Sequence, residues 1–366
     1  MINTIHSSGT EIYSRYTIER FLAAGGMQEV YIARDNILER HIALKTPKNT
    51  SAAKRFQNSA SLSARISSPY VAKTFDYFVA NDRAYLVEEL ISGFNLEDVF
   101  INVTSIFDPH LAALAAHQLA IALHASHDVG VFHRDLKPNN IIVDEDCGCL
   151  NFKITDFGIA KLAEEELDKA SKSTQSMQES STMFGALPYM SPEVIYDPKA
   201  GTLASDIWAF GAIIYRMLTG SLPFGEGLAA IPKITSGIPP AAPHAQKNMH
   251  QFFSLQEELW EIIRGCFEID PTKRPTAKEL SVRLSNLCYS SHPRIVGIVK
   301  NYAQVDYGEY GFISSNLEQI FFHKDSFFGN DIKVGQLVYF SAYAGLPRQR
   351  AHPVLPIKNR FKNPQL

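Results

Sequence analysis

Two short polar blocks in the middle of the chain combine the side-chain types that the transfer of a phosphoryl group requires. The first block, HRDLKPNN, contains Asp135, Lys137 and Asn140, and the second, DFG, begins at Asp156. A further lysine, Lys45, ends the apolar run IALK upstream. Phosphoryl transfer needs oxygen ligands for magnesium, cations at the phosphates and a carboxylate at the attacking hydroxyl. Each of these groups is present.

Taken in this order, the two blocks resemble the catalytic loop and the metal-binding loop of eukaryotic-type serine/threonine protein kinases, in the form that bacteria carry. The resemblance implies that Asp135 accepts the proton of the substrate hydroxyl and that Lys137 contacts the γ-phosphate of ATP. It also implies that Asn140 and Asp156 hold Mg²⁺ and that Lys45 contacts the α- and β-phosphates. A lysine two residues after the catalytic aspartate is the pattern of kinases that act on serine or threonine.

Further motifs extend the resemblance over about residues 16–288. SPE at 191–193 and DIWAFG at 206–211 match structural anchors of the family, and Glu193 is expected to pair with Arg274. The resemblance also implies hydrogen bonds from the hinge backbone to adenine and apolar contacts on both faces of the base. The residues expected around the nucleotide, besides Lys45, Asn140 and Asp156, are Leu22, Val30, Ala43, Glu88, Glu89, Ile91 and Ile142.

Three departures from the family pattern bear on activity. In the glycine-rich loop, LAAGGMQEVY, Ala23 and Gln28 replace the outer glycines. Their side chains restrict the backbone and its approach to phosphate, which is expected to weaken nucleotide affinity. Ser59 stands where the glutamate that pairs with the strand lysine belongs, and Ala186 replaces a threonine of the activation segment. These departures keep a second interpretation open, a pseudokinase scaffold that acts through its C-terminal module.

A fourth departure offers a replacement for the missing glutamate. The hinge pattern YLVEELI places Glu88 at the gatekeeper position, which in the family is apolar and close to the strand lysine. We expect Glu88 to pair with Lys45, because a carboxylate about 4 Å from an ammonium gains about 4 kcal/mol at an effective dielectric constant of 20. The alternative is that Glu88 is protonated or points to water.

The polar run from Ala163 to Thr182 cannot bury a core and predicts a loop. Three hydroxyls at its end, those of Ser180, Ser181 and Thr182, are candidate phosphorylation sites. Ser180 falls where bacterial relatives carry an activating phosphothreonine, and a phosphate there could engage Arg134. The alternative is an ordinary solvated loop.

The motifs GIVK, YGFI, IFFH and GQLVYF follow one another near the C-terminus, in the order and approximate spacing of a cold-shock domain, which they resemble. Strand alternation places Tyr310 and Phe312 on one face of a strand and Phe321 and His323 on one face of another. Two apolar faces in so small a barrel predict that one set is exposed. Exposed rings suit stacking on the bases of single-stranded RNA or DNA, with Lys300 as a further contact.

A second explanation of these aromatic residues is packing against the kinase domain. Asn301 stands where the first strand of the resembled family usually has a stacking tryptophan. The basic residues of the module are nearly balanced by acidic ones. Binding of nucleic acid is therefore expected to depend little on salt.

The periodicity of the chain indicates which elements carry these motifs. Short β-type runs dominate residues 16–90, helical periodicity dominates 91–288, and short strands with glycines return afterwards. We expect an α+β chain with a bilobal protein kinase fold followed by a small five-stranded OB-type β-barrel. The expected segments are an N-terminal extension at 1–15, the kinase domain at 16–288, a linker at 289–293, the barrel at 294–356 and a tail at 357–366.

Composition limits the partners and the location. The chain is 45% hydrophobic and 20% charged with a net charge of -3, so no overall charge favours nucleic acid or membrane. Four cysteines without metal-type spacing argue against a disulfide framework and against zinc. The N-terminus lacks a signal peptide pattern, and no apolar run is long enough for a membrane span. We expect a cytoplasmic enzyme with ATP and Mg²⁺ as cofactors and a protein serine or threonine as substrate.

Overall fold

A computed structural model describes residues 4–24, 28–49, 53–157, 185–243, 250–305, 308–316, 318–329 and 331–361. These residues form an N-terminal lobe, a C-terminal lobe and a closed β-barrel. Within these ranges, no helix combines the length and the apolar character needed to cross a membrane.

The N-terminal lobe is a six-stranded sheet with one helix. Its strands are Glu11–Ile12 (β1), Tyr16–Ala24 (β2), Gln28–Asp35 (β3), Arg40–Pro47 (β4), Thr74–Ala80 (β5) and Arg83–Glu89 (β6), and its helix is Ala53–Ser63 (α1). The strand order is β1-β2-β3-β4-β6-β5, and all neighbours are antiparallel. The segment before residue 16 thus contributes an edge strand to the sheet.

Alternation along the strands divides the side chains of this sheet between two faces. Tyr31, Leu44 and Val87 are neighbours across β3, β4 and β6, and all three lie in the same buried cluster. Lys45 and Glu88 each follow one of these positions, so their side chains point to the opposite face. This pattern sends both charged groups toward the cleft between the lobes.

The C-terminal lobe is mainly helical. Its elements are β7 (Gly93–Asn95), α2 (Leu96–Asn102), α3 (Pro109–Asp128), β8 (Ile141–Asp146), β9 (Cys149–Ile154), α4 (Pro192–Tyr196), α5 (Leu203–Thr219), α6 (Ile231–Thr235), α7 (His250–Cys266) and α8 (Ala277–Ser285). Helix α3 is buried along most of its length. Its N-terminus is capped by Asp108, which accepts hydrogen bonds from the backbone of His110 and Leu111, and Pro109 occupies the first turn.

The C-terminal segment forms a closed five-stranded barrel, as expected for an OB-type fold. Its strands are Arg294–Val305 (β10), Gly308–Ser315 (β11), Glu318–His323 (β12), Leu337–Tyr343 (β13) and Arg350–Pro356 (β14). The order around the barrel is β10-β11-β12-β14-β13, and β12 and β14 are parallel. Its core is filled by alternate residues such as Val299, Ile313, Ile320, Phe322 and Phe340.

One side of the barrel packs on the C-terminal lobe and continues its hydrophobic core. Phe328 of the barrel meets Phe252 of α7 edge to face, with ring centroids 5.1 Å apart. His352 stacks on the same Phe252 ring at 5.3 Å. Tyr339 is fully buried against Phe361, which belongs to the segment predicted to be a tail. The residues after β14 therefore form part of this contact.

A buried ion pair lies at the centre of this contact. The guanidinium of Arg294 donates to both carboxylate oxygens of Asp108, at 2.5 and 2.9 Å. The backbone N–H of Arg294 also donates to the carbonyl oxygen of Gly148, in the turn between β8 and β9, at 2.9 Å. Gly148 has φ of +79°, and a Cβ there would lie 2.5 Å from the carbonyl oxygen of Arg294. The close approach of the barrel to this turn therefore depends on glycine.

Candidate active site

Strand register brings the cleft residues of the N-terminal lobe together. Ala43 lies beside Glu88 across β4 and β6, and Val30 lies beside Lys45 across β3 and β4. Lys45 and Glu88 are almost fully buried, with 5% and 4% of their surfaces exposed. The apolar residues and the buried charges therefore share one face of the sheet, at the roof of the cleft.

Lys45 makes two buried ion pairs. Its ammonium lies 2.5 Å from a carboxylate oxygen of Glu88 and 2.8 Å from Oδ1 of Asp156. Burial disfavours the charged form of Lys45, yet the two carboxylates raise its pKa above the ordinary value. The predicted pair between Lys45 and Glu88 is present. The alternative orientation of Glu88, toward water, is not adopted.

The two carboxylates respond differently to this environment. Burial, together with the nearby charge of Asp156, raises the pKa of Glu88 above its ordinary value, although Lys45 acts in the opposite sense. Burial acts in the same sense on Asp156, but Lys45 and a hydrogen bond from Gln28 hold its pKa below the ordinary value. Asp156 is thus the more firmly ionised of the two and the better placed to bind a cation.

The catalytic-loop residues lie beside Asp156 in the floor of the cleft. Lys137 Nζ lies 2.7 Å from Oδ2 of Asp135, and Asn140 Nδ2 donates to the Asp135 carbonyl oxygen at 2.7 Å. Asn140 is tied to the next loop, because the backbone N–H of Thr155 donates to its carbonyl oxygen at 2.9 Å. Asn140 and Asp156 are therefore held next to each other.

Asp206, in the first turn of α5, fixes the start of the catalytic loop. It is buried and accepts backbone hydrogen bonds from His133 at 2.7 Å and Arg134 at 3.0 Å. The expected anchor between Glu193 and Arg274 is also present, with two hydrogen bonds of 2.7 and 2.8 Å. These contacts fix the floor of the cleft.

Comparison with known proteins agrees with this arrangement. Residues 16–283 match the model of the protein kinase domain family. The chain belongs to the protein kinase family. The serine/threonine-protein kinase pkn2 of Myxococcus xanthus is 32% identical over 277 residues, which cover 74% of this chain and 32% of that relative.

Two other curated relatives are similar at the same level. The serine/threonine-protein kinase PrkC of Bacillus subtilis is 31% identical over 61% of this chain and 33% of its own length. The probable serine/threonine-protein kinase PknB of Corynebacterium glutamicum is 34% identical over 60% of this chain and 34% of its own length. The chain thus spans about a third of the length of these relatives.

Within the kinase domain, the residues expected around the adenine lie at the hinge and on strands β2, β3, β4 and β8. The Glu89 carboxylate pairs with Lys153 at 2.5 Å, and Lys153 is the register neighbour of Ile142 on β8. Ile91 is buried just after the hinge strand, and Leu22 lies at a bulge of β2 with 37% of its surface exposed. The hinge is therefore tied to β9, the strand paired with β8, which carries Ile142.

Helix α1 of the kinase domain approaches the cleft without a carboxylate. Ser59 is buried on this helix, and the Ser63 hydroxyl donates to the Ser59 carbonyl oxygen at 2.8 Å. The substituted Ala186 is also buried. The candidate phosphorylation sites Ser180, Ser181 and Thr182 lie outside the described residues.

The glycine-loop substitution Gln28 takes part in the site, which the sequence did not predict. Its side chain is 8% exposed, and its Nε2 donates to Oδ1 of Asp156 at 2.9 Å. Sequence reasoning treated Gln28 only as an obstacle to phosphate. The sequence offered one sign of this contact: a long polar side chain replaces a glycine at the start of β3.

The predicted aromatic residues of the barrel form one cluster away from the docking contact. The rings of Tyr310 and Phe321 stack with centroids 5.7 Å apart, and Phe312 meets Phe321 edge to face at 5.9 Å. Arg348 lies over Phe312, 5.4 Å from its ring centroid. The three rings are half-buried and the side chain of His323 is 45% exposed. Among the described residues, the barrel contacts the C-terminal lobe through Arg294, Phe328 and His352, which lie outside this cluster.

Proposed function

We propose that this chain is a serine/threonine protein kinase that transfers the γ-phosphate of ATP to protein substrates. The observation that carries the proposal is the buried Lys45–Glu88 ion pair, which holds the phosphate-binding lysine without a glutamate from α1. Kinases of this family require an ion pair on this lysine and a metal-binding aspartate in place. Glu88 and Asp156 supply both on either side of Lys45.

Each residue of the cleft has a separate role in the transfer of the phosphoryl group. Lys45 neutralises the α- and β-phosphates, and Lys137, which lies beside Asp135, contacts the γ-phosphate. Asp135 orients the substrate hydroxyl and accepts its proton, because its carboxylate lies beside Lys137 and is partly exposed. The hinge backbone at Glu89 and Ile91 holds the adenine.

Asn140 and Asp156 fit a magnesium ion, which would neutralise the developing charge on the transferred group. Both present oxygen atoms, the ligand type that Mg²⁺ prefers. The Asp156 carboxylate, whose pKa lies below its ordinary value, supplies the charge that favours a cation.

A direct assay tests this proposal. The purified chain is incubated with γ-labelled ATP and a generic protein substrate, with and without Mg²⁺. We expect label on the substrate only with the metal, recovered as phosphoserine or phosphothreonine after acid hydrolysis. Absence of incorporation, together with nucleotide binding, would favour the second candidate, a pseudokinase scaffold. The observation that favours that candidate is buried Ala186, which has no hydroxyl to place beside the catalytic loop.

We also propose that the barrel is a cold-shock-like module that binds single-stranded RNA or DNA. The supporting observation is the half-exposed aromatic cluster of Tyr310, Phe312 and Phe321 on β11 and β12. These are the strands that OB-type barrels use for oligonucleotides, and base stacking on such rings is largely independent of sequence. Lys300, His323 and Arg348 would contact the backbone around the rings.

The test for the barrel is fluorescence anisotropy of the full chain with a labelled oligonucleotide. A single strand should bind and the matching duplex should bind poorly, because duplex bases are already stacked on each other. Equal binding of both forms would refute stacking, and failure of both would assign the cluster to a protein partner.

We further propose that the enzyme acts in the cytoplasm and does not bind a membrane.

A further inference from the structure

We propose that Gln28 supplies a third protein oxygen to the metal site, beside Asn140 and Asp156. The inference rests on the proposed function, because it assumes that Asp156 holds a magnesium ion with the nucleotide. It assigns a binding role to a residue that replaces a glycine of the family pattern.

The first observation is an unsatisfied buried atom. Gln28 begins β3 directly after the glycine-rich loop, and its side chain is 8% exposed. Nε2 of this side chain donates to Asp156 Oδ1 at 2.9 Å, while its carbonyl oxygen Oε1 is buried without a hydrogen-bond partner. A buried acceptor without a donor is unfavourable and is rare in native structures. The site is therefore incomplete until a donor or a cation reaches this oxygen.

The second observation is the charge around Gln28. Asp156 Oδ1 already accepts from Lys45 Nζ at 2.8 Å, and Lys45 is shared with Glu88. Two carboxylates therefore share one ammonium in a buried place. A cation there would satisfy the charge of Asp156 and the orphan oxygen of Gln28 together.

The third observation is the spacing. Magnesium binds oxygen atoms at 2.0–2.1 Å in an octahedron, so two neighbouring ligands lie about 2.9 Å apart. The amide of Gln28 already lies 2.9 Å from Oδ1 of Asp156. A half-turn of the amide group exchanges its nitrogen for its oxygen at this position. Without metal the NH₂ group faces the carboxylate, and with metal the carbonyl oxygen faces the cation.

The amide suits this double role better than other side chains of its size. A leucine has no polar atom to offer, and a glutamate would repel Asp156 in the metal-free chain. The glycine of the family pattern has no side chain that could contact Asp156 or the metal ion. Gln28 thus couples the roof of the cleft to the metal-binding loop both before and after the metal arrives.

Manganese binding tests the inference without requiring turnover. Mn²⁺ is titrated into the full chain saturated with an ATP analogue that has a nitrogen bridge between the β- and γ-phosphates. Free Mn²⁺ is followed by electron paramagnetic resonance. We expect Gln28→Leu to weaken Mn²⁺ binding by about 10-fold or more, the usual loss on removing a group of a metal site. Gln28→Glu should tighten it, because it adds a charged oxygen.

The possible outcomes distinguish failure of the proposed function from failure of the inference about Gln28. If the wild-type chain binds no manganese with the analogue, the proposed function and this inference both fail. If the wild type binds and Gln28→Leu binds equally well or more tightly, Gln28 only competes with the metal for Asp156, and this inference alone fails. Thermal unfolding of the ligand-free variants serves as the control for folding, and Gln28→Glu provides an independent answer if Gln28→Leu does not fold.

Discussion

The ammonium of Lys45 lies 2.5 Å from the carboxylate of Glu88, and the two residues belong to adjacent strands of one sheet. The expected partner of this lysine in the family is a glutamate on the helix, where this chain has Ser59. A partner within the sheet is held by the β-ladder and does not depend on the position of α1. We infer that Lys45 is positioned as soon as the N-terminal lobe has folded.

The first prediction concerns this pair. Glu88→Gln keeps the shape but removes the charge, so the lysine is less firmly placed, and we expect turnover to fall by about 10- to 100-fold. Ser59→Glu in the same chain should restore part of the activity by supplying the carboxylate from α1. The measurement is the steady-state rate of phosphate transfer, with Ser59→Glu alone as the control. Unchanged kinetics in Glu88→Gln would show that the pair is dispensable.

Part of this site could be predicted from the sequence because its residues lie close together along the chain, within short motifs. The loop residues Asp135, Asn140 and Asp156 are separated by short segments of fixed structure, and the position of Glu88 follows from the register of the hinge strand. The contact of Gln28 with Asp156 could not be predicted, since it joins residues 128 positions apart across the cleft. This contact depends on the distance between the N-terminal lobe and the C-terminal lobe across the cleft.

The fold of the barrel could be predicted and its place on the kinase domain could not. Alternation of apolar residues along β11 and β12 indicates which side chains fill the core, whatever the barrel contacts. The pair of Arg294 with Asp108 joins residues 186 positions apart, and nothing in the local pattern of either residue indicates it. For the same reason Phe361, in a short polar segment, did not suggest a buried anchor.

The second prediction concerns that ion pair. Arg294→Met leaves the buried Asp108 carboxylate without its partner, and we expect a loss of about 3–5 kcal/mol in the free energy of unfolding. The double variant Arg294→Met with Asp108→Asn should recover much of the loss, since asparagine is neutral and still caps α3. Denaturant unfolding of the full chain measures both. A loss below about 1 kcal/mol in Arg294→Met would show that the ion pair does not contribute to stability.

The third prediction concerns pH. Burial lowers the pKa of His352 to about 4, and burial also lowers the pKa of its neighbour His110. Each histidine is neutral in the folded chain but takes up a proton near pH 6.5 when unfolded. The contribution of these two histidines to the free energy of unfolding is therefore fully present above pH 6.5 and is lost as the pH falls toward 4. For His352 we expect a loss of about 2 kcal/mol after allowance for its partial exposure.

A matched variant isolates this effect from the titration of carboxylates. His352→Phe keeps a ring on Phe252 and removes the titrating group, whose Nδ1 is buried without a partner. Its free energy of unfolding should fall less steeply between pH 6.5 and 4 than that of the wild type. Parallel curves for the two proteins would assign the acid sensitivity to other groups.

The fourth prediction concerns the aromatic cluster of the barrel. Phe312→Ala removes the ring that meets Phe321 and Arg348, and it should weaken binding of a single strand by about 1–3 kcal/mol. Because basic and acidic residues nearly balance in the barrel, raising the salt concentration should weaken binding much less. Anisotropy titrations at two salt concentrations measure both terms. Phe253→Ala, an exposed phenylalanine on α7, is the control and should bind like the wild type.

The measurement that tests the central claim most directly compares the wild-type chain with Asp135→Asn in the presence of labelled ATP and magnesium. Asparagine keeps the size of the side chain but cannot accept the proton of the substrate hydroxyl. We expect phosphate on serine or threonine with the wild type and a loss of at least about 100-fold with Asp135→Asn, while both proteins bind the nucleotide. Equal incorporation by the two proteins, or none by either, would contradict intrinsic kinase activity.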